Sequence, residues 1–340
     1  MKRIAIVILN WNGRKFLEKF LPSVFQYSRA DARVIIADNA SDDDSVGFLR
    51  DNFPDAEIIQ LDRNFGFAGG YNRALEQVSA EFYLLLNSDV EVTDGWLRPM
   101  LEFMDTEKNA AACQPKIRSF SDRHLLEHAG ASGGFIDFLG YPFCRGRLFT
   151  TLEKDLHQYD DSRPVFWATG ACLLIRSRAF HEAGGFDQRF FAHMEEIDLC
   201  WRIQRTGKSI WVIPKSVVYH VGGGTLPKNN PRKTYLNFRN NLLMLFKNTP
   251  APRILWLIPF RLLLDGIAGI KFLLEGHPRD FIAVIRAHFA FYRLAASNNV
   301  HDREKNGGHA PAGVYRRSIV WDYYLNKKTT FRELPSKSFS

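Results

Sequence analysis

Residues 4–9 form an unbroken apolar run that stops at Asn10-Trp11-Asn12-Gly13. A run without alternation suits a strand covered on both faces, as in a parallel sheet. Lys2-Arg3 precede it, but it is too short for the apolar core of a signal peptide. A helical stretch over 14–27 leads to a second run, 34–37, which ends in Asp38-Asn39-Ala40-Ser41-Asp42. A third run, 57–61, ends in Asp62-Arg63-Asn64, and a helix over about 69–79 leads to a fourth, 82–86, which ends in Asn87-Ser88-Asp89. Strand alternating with helix predicts an α/β fold. Ligands of such sheets sit beyond the carboxyl ends of the strands, so Asn12, Asp38, Asn64 and Asp89 are expected to converge on one crevice.

The middle of the chain is less regular. Residues 110–165 carry Gly133-Gly134, many aromatics and Arg145-Gly146-Arg147. Beyond Phe166-Trp167-Ala168-Thr169-Gly170 the pattern predicts a strand over 171–175, a helix near 177–183 and a turn at 184–187. A helix is expected over 190–204, holding Glu195-Glu196-Ile197-Asp198. Two apolar runs, 210–213 and 217–221, then lead to His220 and Gly222-Gly223-Gly224.

The last third differs in kind. In 253–275 no uncharged stretch reaches the ~20 residues that a membrane span requires. At the helical period Arg253, Arg261, Asp265, Lys271 and Glu275 share a stripe of about 120°, and the remaining surface is apolar. Arg279, Arg286 and Arg293 then recur beside Phe281, Ile282, Ile285 and Phe289. Interfacial amphipathic helices have this pattern, as do helices packed on a catalytic body or in a dimer. Residues 298–314 read as a polar linker and 316–328 as a second basic, aromatic surface contact.

Charge sharpens the division. The 340 residues carry a net +8, yet residues 1–245 hold 30 basic and 30 acidic side chains while 246–340 hold 15 and 7. The excess lies wholly in the tail, which points to an anionic surface; its apolar faces favour lipid over nucleic acid. Hydrophobic residues make up 46%, which excludes global disorder. Four widely spaced cysteines without a CxxC argue against a disulfide scaffold or zinc ribbon and suit a reducing compartment.

Several clusters carry chemistry. Asn87-Ser88-Asp89 at a strand end either makes a simple turn or holds a divalent cation that bridges a diphosphate. The Gly-rich loop from Arg63 through Asn64, Gly66 and Phe67 to Asn72 opens a helix, where backbone amides can approach phosphates. It matches neither the dinucleotide nor the P-loop fingerprint. Three carboxylates, Glu195, Glu196 and Asp198, crowd into one helical turn. Arg202 is spaced to pair with Asp198, leaving another carboxylate as a general base.

Taken in order, the stretches at 8–13 (ILNWNG), 36–45 (IADNASDDDS), 61–75 (LDRNFGFAGGYNRAL), 84–92 (LLLNSDVEV), 167–176 (WATGACLLIR), 184–207 (GGFDQRFFAHMEEIDLCWRIQRTG) and 219–225 (YHVGGGT) resemble a family 2 glycosyltransferase of the inverting, rhamnosyltransferase-like branch. The resemblance covers roughly 3–245. It implies a GT-A fold, a Rossmann-like mixed sheet flanked by helices, here with a C-terminal amphipathic helical extension from 246 onward. It also implies a nucleotide-diphosphate sugar donor and Mg²⁺ or Mn²⁺. Asn12, Asp38, Arg63, Asn64, Gly66, Phe67, Asn72, Asn87, Ser88 and Asp89 fall to the donor, and Trp167, Gly170, Glu195 and Asp198 to the acceptor. Asp89 and His220 fall to the metal, and Glu196 to the catalytic base. Where the family usually has a Glu-Asp pair this chain has Glu195-Glu196, so the base stays open between them. Asn87 replaces the first acid of the metal motif, leaving Asp89 as the direct carboxylate.

The expected reaction is transfer of a sugar to a hydroxyl of a glycan or lipid-linked glycan in cell-surface polysaccharide synthesis. The expected place is the cytoplasmic face of the plasma membrane, with an oligomer possible. A nucleotidyltransferase would want a basic Gly-rich loop where Asn10-Trp11-Asn12-Gly13 stands. A catalytically silent binding module fits poorly with intact Asp89 and His220.

Overall fold

The computed structural model describes residues 2–127, 129–222, 230–296 and 308–340. Strand β1 (Ile4–Asn10) lies parallel between β2 (Ala32–Asp38) and β4 (Phe82–Asn87), with Leu9 opposite Asn87 and Asn10 opposite Asp38. The polar residues that end these strands therefore line up at one edge. Helices α1 (Arg14–Ser28), α2 (Ser45–Asn52) and α3 (Gly66–Leu75) make the crossovers, and β3 (Glu57–Gln60) extends the parallel set. Next come β5 (Val90–Val92), α4 (Leu97–Thr106) and β6 (Ala110–Ser119), followed by four short strands: β7 (Gly134–Asp137), β8 (Pro142–Cys144), β9 (Arg147–Leu148) and β10 (Thr151–Leu152). Strands β11 (Arg163–Pro164) and β12 (Cys172–Arg176), helices α5 (Ser177–Glu182) and α6 (Glu195–Arg205), and β13 (Ser209–His220) complete the body.

Among the described residues the main sheet runs β11-β13-β6-β12-β4-β1-β2-β3, with β5 beside β13. It is mixed, because β12 is antiparallel to both β4 and β6. Two apolar cores cover its faces, one under α1, α2 and α4, the other under α3, α5 and α6. The two runs expected at 210–213 and 217–221 are a single strand, β13, with an irregularity between Ile213 and Val217. The helix expected over 190–204 begins only at Glu195. Phe191, His193 and Met194 before it hold φ of 64°, 70° and 73°, a left-handed backbone that no α-helix admits. All four cysteines are free and buried.

The C-terminal region is woven into this body. The boundary expected at 245 falls inside α7 (Pro231–Asn248), which packs on α8 (Ala251–Leu274) and α9 (Pro278–Ala296). Most of the expected linker, 297–307, lies outside the described residues. Beyond it the chain returns: β14 (Val314–Tyr315) pairs in parallel with β7, closing a second sheet, β10-β9-β8-β7-β14. Phe331 and Phe339 then pack on Phe135, tilted and edge-on, at ring distances of 4.9 and 5.4 Å. The expected surface contact at 316–328 includes α10 (Ile319–Tyr324), whose Ile319 is buried and donates its N–H to Asp137. Trp321 of the same helix stays 60% exposed.

The polar stripe of helix α8 is divided: Arg253, Lys271 and Glu275 are exposed, while its middle turns inward. Arg261 and Asp265 are buried: the Arg261 guanidinium lies 3.6 Å over the Tyr141 ring and donates to the Leu139 carbonyl. The apolar face looks outward, with Leu255, Leu263 and Leu274 at 80%, 61% and 83% exposure, and Phe289 of α9 beside them at 74%.

Candidate active site

The crevice at the strand ends is floored by a hydrogen-bonded polar set. Asp38 accepts from the Asn10 amide (3.0 Å), the Ser41 hydroxyl (2.6 Å) and the Ser41 N–H (3.0 Å). Asn12, at φ 51°, caps the opposite loop by accepting from the Asp42 N–H. Arg63 remains exposed, its guanidinium 4.8 Å above the Phe65 ring.

The Gly-rich loop is built differently from the sequence expectation of free amides. The N–H of Phe65 goes to Asn39, that of Gly66 to Asn64, and those of Phe67 and Ala68 to the Phe191 carbonyl. These amides clasp neighbouring chain and are not available to phosphates. Gly66, at φ 72°, is required because a Cβ there would sit 2.5 Å from the Phe191 ring. Asn72, assigned to the donor, holds the Phe186 backbone through both its amide groups, so its polar atoms are occupied.

At the end of β4, Asn87 and Ser88 are half-buried and Asp89 is buried. His220, at the end of β13, brings Nε2 to 3.1 Å from Asp89 Oδ1, while its Nδ1 lies 3.1 Å from Glu127 Oε2. Burial would lower the imidazole pKa, but the Asp89 and Glu127 carboxylates outweigh it and push it up to about 10. Two carboxylates around one ring make a pocket that demands positive charge. The donor set fits a divalent cation: Glu127 orients the ring as a partner behind the ligand, and 3.1 Å is close to the roughly 3 Å between adjacent donors about 2.1 Å from a metal. Among the described residues no group of three or more His, Cys, Asp or Glu side chains forms a complete cage, so substrate oxygens would have to supply the rest. Glu127 was missed in the sequence, because it lies in the irregular middle stretch without a motif around it.

Glu195 and Glu196 open α6, after Met194 in the left-handed region. Oε2 of each is covered and accepts no hydrogen bond from the described residues. Burial pushes the Glu196 carboxyl up to about 7, against backbone N–H groups of Ile197 and Gly170 that favour its ionised form. Burial, then the charge of Glu196, holds Glu195 well above the usual carboxylate range. Gly170 leaves the space between the two loops: a Cβ there would meet Phe67 at 3.1 Å and Glu196 Cβ at 3.9 Å.

Two acceptor assignments do not survive the geometry. Trp167 is 5% exposed, donates its indole N–H to the Phe135 carbonyl and covers Gly134, so it packs the core and offers no ring face to a sugar. Asp198 is fully buried and bound to Arg202, Lys247 and Asn248. Only its Arg202 partner was legible from spacing. The loop before Glu195 is held from α7: the Asn240 amide donates to the carbonyls of Phe190, Ala192 and His193 at 2.7–2.9 Å.

The model of the family "Glycosyl transferase family 2" matches residues 5–184. The chain is 28% identical over 239 residues to an N-acetylglucosaminyl-diphospho-decaprenol L-rhamnosyltransferase of Mycobacterium tuberculosis, covering 65% of this chain and 77% of the relative. Its fold is similar to that of a mannosyltransferase from Pyrobaculum calidifontis in complex with GDP-Man and Mn2+, with TM-score 0.52, 13% identity, and 88% and 77% of the two chains covered. It is also similar to GalNAc-T7 with UDP, GalNAc and Mn2+, with TM-score 0.58, 14% identity, and 72% of this chain and 48% of that one covered.

Proposed function

The chain belongs to glycosyl transferase family 2 and is a glycosyltransferase of GT-A fold; we propose that it transfers a sugar from a nucleoside-diphosphate donor to a hydroxyl of a lipid-linked glycan, with inversion and with a divalent cation. The observation that carries this reading is the meeting of Asp89 and His220 at the ends of two strands, with the far nitrogen of His220 tied to Glu127. A bound cation would supply charge neutralisation for the departing nucleoside diphosphate, held by Asp89 Oδ1 and His220 Nε2.

The chain's own groups do the rest. Glu196 takes the proton from the acceptor hydroxyl on a carboxylate whose pKa lies near neutrality, where a general base works best. The freed oxygen attacks the anomeric carbon from the face opposite the leaving group. One base suffices because no glycosyl-enzyme forms, unlike hydrolases that flank the bond with two carboxylates. Asn12, exposed beside the crevice, would meet the nucleoside, and Asp38, buried beneath Asn10 and Ser41, would act through those two residues.

No described helix is long and apolar enough to cross a membrane. The outward apolar faces of α8 and α9 support a peripheral position on a membrane, where a lipid-linked acceptor resides. The similarity to a transferase named for a diphospho-decaprenol acceptor supports the same acceptor class. Calorimetry with UDP-, GDP- and dTDP-sugars, in Mn²⁺ and in EDTA, tests the reading. One of them should bind far more tightly with metal; equal affinity in EDTA would overturn the metal assignment, and no binding at all would overturn the donor class. The configuration of the product at the anomeric carbon, read by NMR, decides inversion.

A further inference from the structure

A groove of about 710 Å³ opens between α7 and α9, outside the crevice just described. Arg232 and Arg239 of α7 and Arg279 and Arg286 of α9 line it, with Phe191 and Ile282 among its apolar walls. No Asp or Glu lines it, and the adjacent Asp280 carboxylate is occupied by the Thr234 hydroxyl at 2.5 Å. Among the described residues none of the four guanidiniums is paired with a carboxylate. Arg239 spends its hydrogen bonds on Asn240 and the carbonyls of Arg189 and Phe190, which fixes its position without cancelling its charge. Arg232 lies 5.1 Å over the Phe191 ring. Among the described residues four guanidiniums gather in one concave site against one nearby carboxylate, Asp280, and form an anion receptor.

Its surroundings narrow the anion. On one side the groove meets the catalytic loop. Phe191 lines it, and the Phe191 carbonyl accepts the N–H groups of Phe67 and Ala68, four residues ahead of Glu195. On the other side it runs onto exposed apolar helix surface, where Ile282, Ile285 and Phe289 of α9 are 52%, 40% and 74% exposed. Arg279 and Arg286 are two helical turns apart on the same helix and are themselves exposed. A ligand that fits must be anionic at its middle, apolar at one end and able to present a hydroxyl to Glu196 at the other.

We infer that this groove seats the diphosphate of the lipid-linked acceptor, with its hydrocarbon chain on the outer faces of α8 and α9 and its sugar directed to the base. The inference rests on the reading of the protein as a transferase to a lipid-linked glycan. A diphosphodiester brings two negative charges to the four arginines. The phosphate of a phosphatidylglycerol headgroup brings one and has no reason to lie beside the catalytic loop.

The test is direct binding, separate from any donor measurement, so that its failure and that of the proposed reaction are told apart. Calorimetry with farnesyl diphosphate is run in EDTA, which removes any metal that would draw the diphosphate to Asp89. The full-length protein should bind it. Replacing both exposed arginines, Arg279→Ala with Arg286→Ala, should weaken binding about 25-fold, at roughly fivefold per charge. Arg279→Lys with Arg286→Lys should recover much of the loss. Equal affinity in the wild-type and alanine proteins, or a lysine variant as defective as the alanine one, would overturn the inference. So would a wild-type protein that ignores farnesyl diphosphate yet floats with phosphatidylglycerol vesicles in a manner dependent on Arg279 and Arg286, because the groove would then be a membrane headgroup site.

Discussion

Changing Glu196 to Gln keeps the volume of the side chain and removes its ability to accept a proton. Loss of a general base costs about 10²–10⁴-fold in kcat, while donor affinity should stay within about twofold. The structure adds a pH signature. With the Glu196 carboxyl at about 7, half of the wild-type enzyme carries the active base at pH 7 and about a tenth at pH 6, so kcat should fall tenfold per pH unit on the acid side. Glu195→Gln is the informative partner. Burial and the charge of Glu196 push the Glu195 carboxyl well above the usual range, toward its neutral form, and an amide in its place should leave both rate and acid limb nearly unchanged. A second readout is stability. The folded protein binds the Glu196 proton more tightly than the unfolded chain, whose carboxyl titrates near 4.5, so wild-type stability falls as pH rises from 4.5 through 7. Glu196→Gln escapes that loss. It should be more stable than wild type at pH 8 by up to about 3 kcal/mol and no different at pH 4. Stopped-time transfer assays from pH 5 to 9, with thermal melts at pH 4 and 8, cover both. A flat wild-type profile, or an inactive Glu195→Gln beside an active Glu196→Gln, would refute the assignment of the base.

Three further outcomes are expected. Glu127→Gln should loosen the His220 ring and weaken metal-dependent nucleotide binding about 10–100-fold by calorimetry, leaving binding in EDTA unchanged; unaltered metal dependence would remove Glu127 from the site. Phe331→Ala should cost about 3–5 kcal/mol in denaturant unfolding, because its ring is buried among Phe135, Tyr159 and Phe339; a loss below about 1 kcal/mol would mean that the C-terminal segment is only loosely attached. Leu263→Asp with Phe289→Asp, both on the exposed apolar face, should abolish co-sedimentation with anionic vesicles without lowering the melting temperature; a large drop in melting temperature would mean that these faces are packed in an oligomer.

What could be read from the sequence follows a physical divide. Strands β1, β2 and β4 are apolar runs closed by polar residues, and parallel register then aligns Asn10, Asp38 and Asn87 without further information. The carboxylate pair at 195–196 stood out because like charges rarely crowd without cause. Side-chain direction was not legible. Asn72, Trp167 and Asp198 have residue types that suit a site, yet Asn72 braces the Phe186 backbone, Trp167 covers Gly134, and Asp198 neutralises buried Lys247. Periodicity showed the polar stripe of α8 but not that Arg261 and Asp265 within it turn inward. Two partners decide that, Tyr141 and Leu139, and both lie more than a hundred residues upstream. The docking of 308–340 was invisible for a related reason. Strand β14 is two residues long, and its order comes from strands and rings far away in the chain.

That last pairing sets the order in which the protein is completed. Val314 joins Ile136, which lies 178 positions earlier in the chain, so during synthesis β7 has no β14 to pair with until the segment around 314 has been made. At the usual 5–20 residues per second that interval is about 9–36 s. Through it, Phe135 and Phe143 wait for Phe331 and Phe339, and the unpaired edge of β7 is open to other chains. The parallel Rossmann-like half, whose pairings lie within the first hundred residues, can form well before. Growth of the nascent chain therefore divides the molecule into an early part that carries the crevice at the strand ends and a late part that closes it, and ribosomes stalled between 250 and 310 should carry a body vulnerable to aggregation and proteolysis at residues 134–152.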